Sequence, residues 1–260
     1  MHQFPLSVVI GLVCGLVSGG AMAACQSNAN SLFEDRFRNV DDSWGTFQNY
    51  RVENGRLVFK PLAGFNTAAI NKSSLYDDVD ACVEMTVPAP TTKGTCGALI
   101  FWAEDYGNYY SFQVSTDGQA SVWRRQRGKW LDPVSWRDFG PIAKNADEVN
   151  ELRVVTAGSN AKLFVNGTLF KELRGHPPKD GSLVGLLACA PNDVSATVAF
   201  TNFVVNPPSA DTESTNDKAT GERKGGNAAP SVNESGGPGS SSESGGAAGG
   251  AAPVGSDTGK

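Results

Sequence analysis

The sequence predicts an all-β protein, a two-sheet antiparallel β-sandwich, on three observations. First, residues 96–130, CGALIFWAEDYGNYYSFQVSTDGQASVWRRQRGKW, alternate apolar and polar side chains at period two. Asp105-Tyr-Gly-Asn108, Asp117-Gly118 and Arg127-Gly128 punctuate that stretch as hairpin turns would. Second, further short strands recur on both sides of it, some separated by Asn-Gly pairs. Third, no window combines a 3.6-residue apolar period with helix caps.

In chain order, residues 32–37 form a first strand that should pair with the last. Residues 50–53 and 56–62 flank Asn54-Gly55, the strongest short hairpin signal. Residues 68–71 make a short strand. Residues 79–87 alternate, with Val79, Ala81, Val83 and Met85 on one face and Asp78, Asp80, Cys82 and Glu84 on the other. The central stretch follows, then a loop rich in Trp and Pro up to Gly140. Residues 151–156, 161–165 and 168–173 form a meander turning at Asn166-Gly167, and residues 183–189 and 197–205 close the sandwich.

Three segments follow from composition. Residues 1–23 read as a secretory signal peptide: an apolar run broken by Gly and Ser ends in Ala21-Met22-Ala23, an A-x-A cleavage pattern. Met22-Ala23-Ala24-Cys25 also resembles a bacterial lipoprotein box, which would anchor the chain through Cys25. Residues 24–206 hold the β-sandwich, long enough for one sizeable core. Residues 207–260 are Gly, Ser, Ala, Asn and charge without an aromatic side chain, and predict a disordered tail. The protein is therefore expected in the periplasm or outside the cell. The net charge of −5 argues against nucleic acid as the main partner. No later segment has the length and apolarity of a membrane-spanning helix.

Beyond the leader the chain carries Cys25, Cys82, Cys96 and Cys189, which allow three pairings. A hairpin closing at Pro88-Ala89-Pro90 would set Cys82 opposite Cys96. That bridge would contribute about 3 kcal/mol in the chain-entropy account, and would leave Cys25 for Cys189. Disulfides fit an oxidising compartment.

Several motifs carry a resemblance. Gly97-x-x-x-Phe101-Trp102, Asp105-Tyr-Gly-Asn108-Tyr-Tyr110-x-Phe-x-Val114, Trp123-Arg-Arg, Asn150-Glu-Leu-Arg153-Val-Val, Leu163-Phe-Val-Asn-Gly167, Gly185-Leu-Leu-Ala188 and Phe200-Thr-Asn-Phe203-x-Val together resemble the concanavalin A-like lectin/glucanase superfamily. The nearest branch is the bacterial laminin-G-like and 3-keto-disaccharide hydrolase domains. The resemblance covers about residues 32–205 and implies a jelly roll. The superfamily includes lectins and glycosidases, so fold alone does not assign an activity.

Register decides which side chains share a face. A four-residue turn sets Phe101 opposite Phe112 and Leu99 opposite Val114, both facing the core. A three-residue Thr116-Asp117-Gly118 loop with left-handed Gly118 sets Phe112 opposite Val122. A two-residue turn would instead bury Arg125 unpaired, which is costly. The favoured register gathers Trp102, Tyr109, Gln113, Trp123 and Arg125 on one outer face, joined by Asp80 and Glu84 if Cys82 faces Cys96. Flat rings stack on sugars, and Arg, Gln and Asp satisfy hydroxyls. The face therefore reads either as a glycan site or as a second small core covered by the 130–139 loop.

Catalytic signals are sparse. His176 stands in a Pro-flanked loop, which argues against a Ser–His–Asp arrangement. Retaining glycosidases place two carboxyl groups about 5 Å apart, and family-16 enzymes carry Glu-x-Asp-x-x-Glu on one strand. Asp78-Val-Asp80-Ala-Cys-Val-Glu84 has acids on one face at a different spacing. Asp80, Glu84 and Glu104 are thus the acid/base candidates. Asp105 is expected to shape its turn. The laminin-G-like resemblance raises calcium at Asp105 or Asp117, but neither sits in an acidic cluster, so no cofactor or metal is expected. The Arg124-Arg125-x-Arg127-x-Lys129 run could grip an anionic sugar. The leading function is an exported, non-catalytic glycan-binding module. The alternatives are a glycoside or keto-glycoside hydrolase and an envelope structural or protein-interaction domain.

Overall fold

The computed structural model describes residues 25–39, 41–46 and 48–208. The leader and all but the first two residues of the tail lie outside them. The described residues form two antiparallel sheets, as the alternation predicts. Short strands and turns recur throughout, and a single 3-10 turn, Asp42–Trp44, interrupts them.

The eight-stranded sheet runs β12 (Thr168–Arg174), β11 (Asn160–Val165), β10 (Val149–Ala157), β5 (Asp80–Thr86), β14 (Val198–Asn206), β3 (Arg56–Phe59), β2 (Tyr50–Glu53). Its eighth strand, β1 (Phe33–Asp35), pairs with Phe203–Val205 of β14, beyond the part of β14 that β3 occupies. First and last strands therefore pair as expected. The six-stranded sheet runs β4 (Asn66–Tyr76), β13 (Ser182–Cys189), β6 (Cys96–Asp105), β7 (Asn108–Ser115), β8 (Gln119–Gln126), β9 (Lys129–Asp138).

Turn chemistry explains the hairpins. Asn54-Gly55, Arg127-Gly128 and Asn166-Gly167 all hold positive φ at both central positions, the type I′ geometry whose twist matches the flanking strands. The β7–β8 loop is Thr116-Asp117-Gly118 with Gly118 at φ 79°, and Phe112 faces Val122 across it, as expected.

The core lies between the sheets. Leu99, Phe101, Phe112, Val114 and Val122 of one sheet meet Val83, Met85, Leu152, Phe200 and Phe203 of the other. The predicted alternation of residues 79–87 is realised in β5, whose Ala81, Val83 and Met85 point inward. The edge strands β12 and β9 are largely exposed. Charged side chains and Pro133 on such edges discourage pairing with another chain.

Four expectations are corrected. The cysteines pair as Cys25–Cys82 and Cys96–Cys189. β5 is already flanked by β10 and β14, so the 88–95 segment crosses to the other sheet instead of closing a hairpin. Cys96 therefore meets Cys189 of β13, its neighbour in register. A Cys25 sulfur held by Cys82 is not free for a lipid thioether, which overturns lipidation at that residue. The segment after Arg127-Gly128, expected as a loop, is the edge strand β9.

The fourth correction is in β6. Leu99, not Phe101, faces Phe112, and Phe101 faces Tyr110. The Asp105–Asn108 turn is as expected. Between Phe101 and Asp105, however, three residues of β6 stand opposite Tyr109 alone. The slip of two keeps Leu99 and Phe101 inward. Within the bulge the alternation breaks, because Trp102 adopts φ 47°.

Candidate functional site

The bulge removes Trp102 from the outer face. Its indole joins Phe101 in the inter-sheet core, 2% exposed and edge-to-face with Tyr110 at 5.4 Å. Gly175 lies against the Trp102 ring so closely that a Cβ there would clash. The loop after β12 thus rests directly on the indole.

The remaining outer-face candidates do converge. Tyr109, Ser111 and Gln113 of β7 stand opposite Arg125, Trp123 and Ser121 of β8. Tyr109 and Gln113 are buried and form the floor, with Gln113 Nε2 donating to Ser111 Oγ at 3.0 Å. Trp123 and Arg125 are partly exposed. Trp130 of β9 joins them, edge-to-face with Trp123 at 6.2 Å and with Tyr109 at 5.8 Å, and with the Arg125 guanidinium 5.5 Å from its centroid. The two-residue Arg127-Gly128 turn sets Trp130 opposite Arg125 once β9 is a strand.

Burial pushes the Tyr109 phenol up to about 12, while the charge and hydrogen bond of Arg125 act the other way. Burial of Tyr106 raises its phenol as well, and its hydroxyl accepts from Ile70 N–H at 3.3 Å. Beside these side chains on the same face, Ile70, Ala98, Ile100, Ala103 and Leu187 make a second apolar cluster with Tyr109, and Trp130 packs against it. The expectation of a small second core holds, and Trp123 and Arg125 stand at its rim. The indole Nε1 of Trp123 and the Nε of Arg125 are shielded from water without a hydrogen-bond partner.

At the end of the six-stranded sheet, where the β6–β7 and β8–β9 turns meet the β12–β13 crossover, lies a pocket of about 260 Å³ that draws on both faces of the sheet. Glu104, Tyr109, Arg124, Arg125, Arg127 and His176 line it. Its two turns are stitched together: Arg127 N–H donates to Asn108 Oδ1 at 2.9 Å and Gly128 N–H to Gly107 O at 3.0 Å. Asp105 shapes the first turn, accepting from Gly107 N–H at 2.6 Å and from the Asn108 amide. His176 sits in its exposed loop, its backbone N–H donating to Tyr110 Oη at 3.3 Å.

The other acids are elsewhere. Because β5 belongs to the eight-stranded sheet, Asp80 and Glu84 face outward on the opposite side of the sandwich from Trp123, contrary to the expectation that they share its face. Asp80 is held bidentately by Arg153 at 2.5–2.6 Å. Glu84 accepts from Thr201 Oγ1 at 3.2 Å and Asn202 Nδ2 at 2.8 Å. Of the three acid/base candidates only Glu104 reaches the pocket. Among the described residues the one grouping with metal-ligand spacing is Cys25, Cys82 and Glu151. Its two sulfurs are spent in a disulfide.

No family model matches the chain, and no curated protein does. Solved structures do. The carbohydrate recognition domain of Emp46p in its potassium-bound form aligns with a TM-score of 0.53 at 13% identity, over 69% of this chain and 97% of that one. A GlcNAcα1-4Gal-releasing endo-β-galactosidase from Clostridium perfringens aligns at 0.50 and 15% identity, over 70% of this chain and 64% of that one. A structure described as a native glycosidic hydrolase aligns at 0.50 and 11%, over 71% and 99%. At such identities the likeness is one of fold. The shared fold is a two-sheet antiparallel jelly roll, the architecture that the motifs predict.

Proposed function

We propose that the protein is an exported glycan-binding module whose ligand lies on the outer face of the six-stranded sheet, over Trp123, Trp130 and Arg125. The observation that carries this reading is the half-exposed cluster there, with Trp123 and Trp130 edge-to-face at 6.2 Å and the Arg125 guanidinium 5.5 Å from the Trp130 centroid. The half-exposed guanidinium offers N–H donors and no acceptor of its own. Sugar hydroxyls supply acceptors, and indole faces supply a stacking surface beside them. The glycan-recognising domain among the structural neighbours supports the reading at the level of fold. Two disulfides support export to an oxidising compartment.

Binding is favoured over hydrolysis because Glu104 is the one carboxylate lining the pocket among the described residues. A retaining pair needs two carboxyl groups about 5 Å apart. Tryptophan-fluorescence titration of the full chain against a polysaccharide panel tests the proposal. Trp123→Ala should weaken binding at least about tenfold, roughly 1.4 kcal/mol, with an unchanged urea midpoint. No response of the wild-type protein to any polysaccharide would overturn the reading. A stoichiometric protein partner on co-purification would then point to an interaction domain.

A further inference from the structure

We infer that the pocket between the β6–β7 and β8–β9 turns takes the carboxylate of an acidic sugar residue. This rests on the glycan-binding reading and narrows its ligand. Arg124, Arg125 and Arg127 all line the pocket against the single carboxylate of Glu104. None of the three guanidiniums is in an ion pair. The four pairs among the described residues engage Arg36, Arg51, Arg153 and Lys162 instead. The chain as a whole carries −5, yet this end of the sheet concentrates positive charge. A pocket wall with unspent cations in a net acidic protein selects an anion.

Two of the three cations are also held in place. The Arg124 guanidinium lies 5.1 Å from the Tyr110 centroid and that of Arg125 lies 5.5 Å from the Trp130 centroid. A guanidinium held over a ring by cation–π attraction has already lost much of its rotamer freedom, and its N–H donors lie in its own plane. Arg127 sits in a turn anchored by Asn108 and Gly107. Planar forks of this kind match a carboxylate in paired N–H···O bonds. At about 260 Å³ the pocket is smaller than the roughly 300–1,000 Å³ of drug-sized sites. It suits one sugar residue, with its neighbours extending toward Trp123 and Trp130.

Isothermal titration calorimetry with the full chain tests this, using an oligogalacturonate, its methyl ester and dextran sulfate. The oligogalacturonate should bind at least about tenfold tighter than the ester, and raising NaCl from about 50 to about 500 mM should erode that preference. The Arg124→Gln/Arg127→Gln double variant should bring acid and ester within about twofold. Arg127→Gln alone, at an exposed turn, should lose part of the preference with the fold intact by circular dichroism. Equal affinity for acid and ester, a preference retained in the double variant, or dextran sulfate binding as tightly as the oligogalacturonate would each overturn the inference. Ester binding without acid preference overturns this inference alone and leaves the glycan reading standing. Failure of every glycan to bind overturns both.

Discussion

The two outer faces of the sandwich use similar side chains to opposite ends. On the eight-stranded sheet the polar groups are spent on one another. Asp80 is clamped by Arg153, and Glu84 takes hydrogen bonds from Thr201 and Asn202, the latter at φ 49° where β14 is irregular. On the six-stranded sheet Arg125 lies over the Trp130 ring, and Trp123 and Trp130 stand half-exposed beside it. Buried polar groups that are mutually satisfied hold a fold together, whereas half-exposed rings beside a guanidinium leave a surface open to an external partner. An acid on a strand is therefore informative only once its neighbours are known. Asp80 and Glu84 look like catalytic candidates along the chain and act as sheet fasteners across it.

Substitutions can break this contrast, and the largest effect should come from Trp102→Ala. With the indole in the inter-sheet core, its removal should cost about 3–5 kcal/mol, read as a fall in the urea midpoint. Near wild-type stability with weakened glycan binding would instead return Trp102 to the ligand face. Arg153→Ala should rank next. It strands Asp80, which is 7% exposed, while Arg153 itself is 27% exposed along its side chain. We expect about 2–3 kcal/mol, below the 3–5 kcal/mol of a fully buried pair. Glycan affinity should not change. A loss of affinity comparable to that of Trp123→Ala would mean the two faces are not functionally separate.

The same contrast explains what could be read along the chain. Period-two alternation and Gly-containing turns are local, so the hairpins and the Phe112–Val122 register follow from neighbours in sequence. The inward face of β5 follows for the same reason. The disulfide pairing depends on whether the chain after Thr86 turns back or crosses to the other sheet, which is decided by what already flanks β5. The Trp102 bulge rests on a left-handed conformation at a non-glycine residue, and no composition signal marks it. β9 was obscured by Pro133, which an edge strand tolerates. Of the proposed ligand face, Tyr109, Gln113, Trp123 and Arg125 were legible through one turn length, while Trp130 required strand β9 and the pocket required the β12–β13 crossover.

A smaller effect, confined to alkaline pH, probes the floor of that face. Burial raises the Tyr109 phenol from its ordinary value near 10 to about 12, while Arg125 favours the phenolate. The folded state therefore holds this proton where the unfolded chain releases it, so the unfolded state binds fewer protons and stability falls as pH rises. The contribution is complete below pH 10 and is lost between about pH 10 and 12, amounting to at most about 2–3 kcal/mol. Tyr50 and Tyr106 are raised by burial too and steepen the same limb. Tyr109→Phe should flatten the alkaline slope by up to one proton. Arg125→Gln should push the Tyr109 transition still higher in an ultraviolet titration of phenolate absorbance. A Tyr109 transition near 10 in the wild-type protein would show that water reaches the floor and that the ring platform above it is not closed.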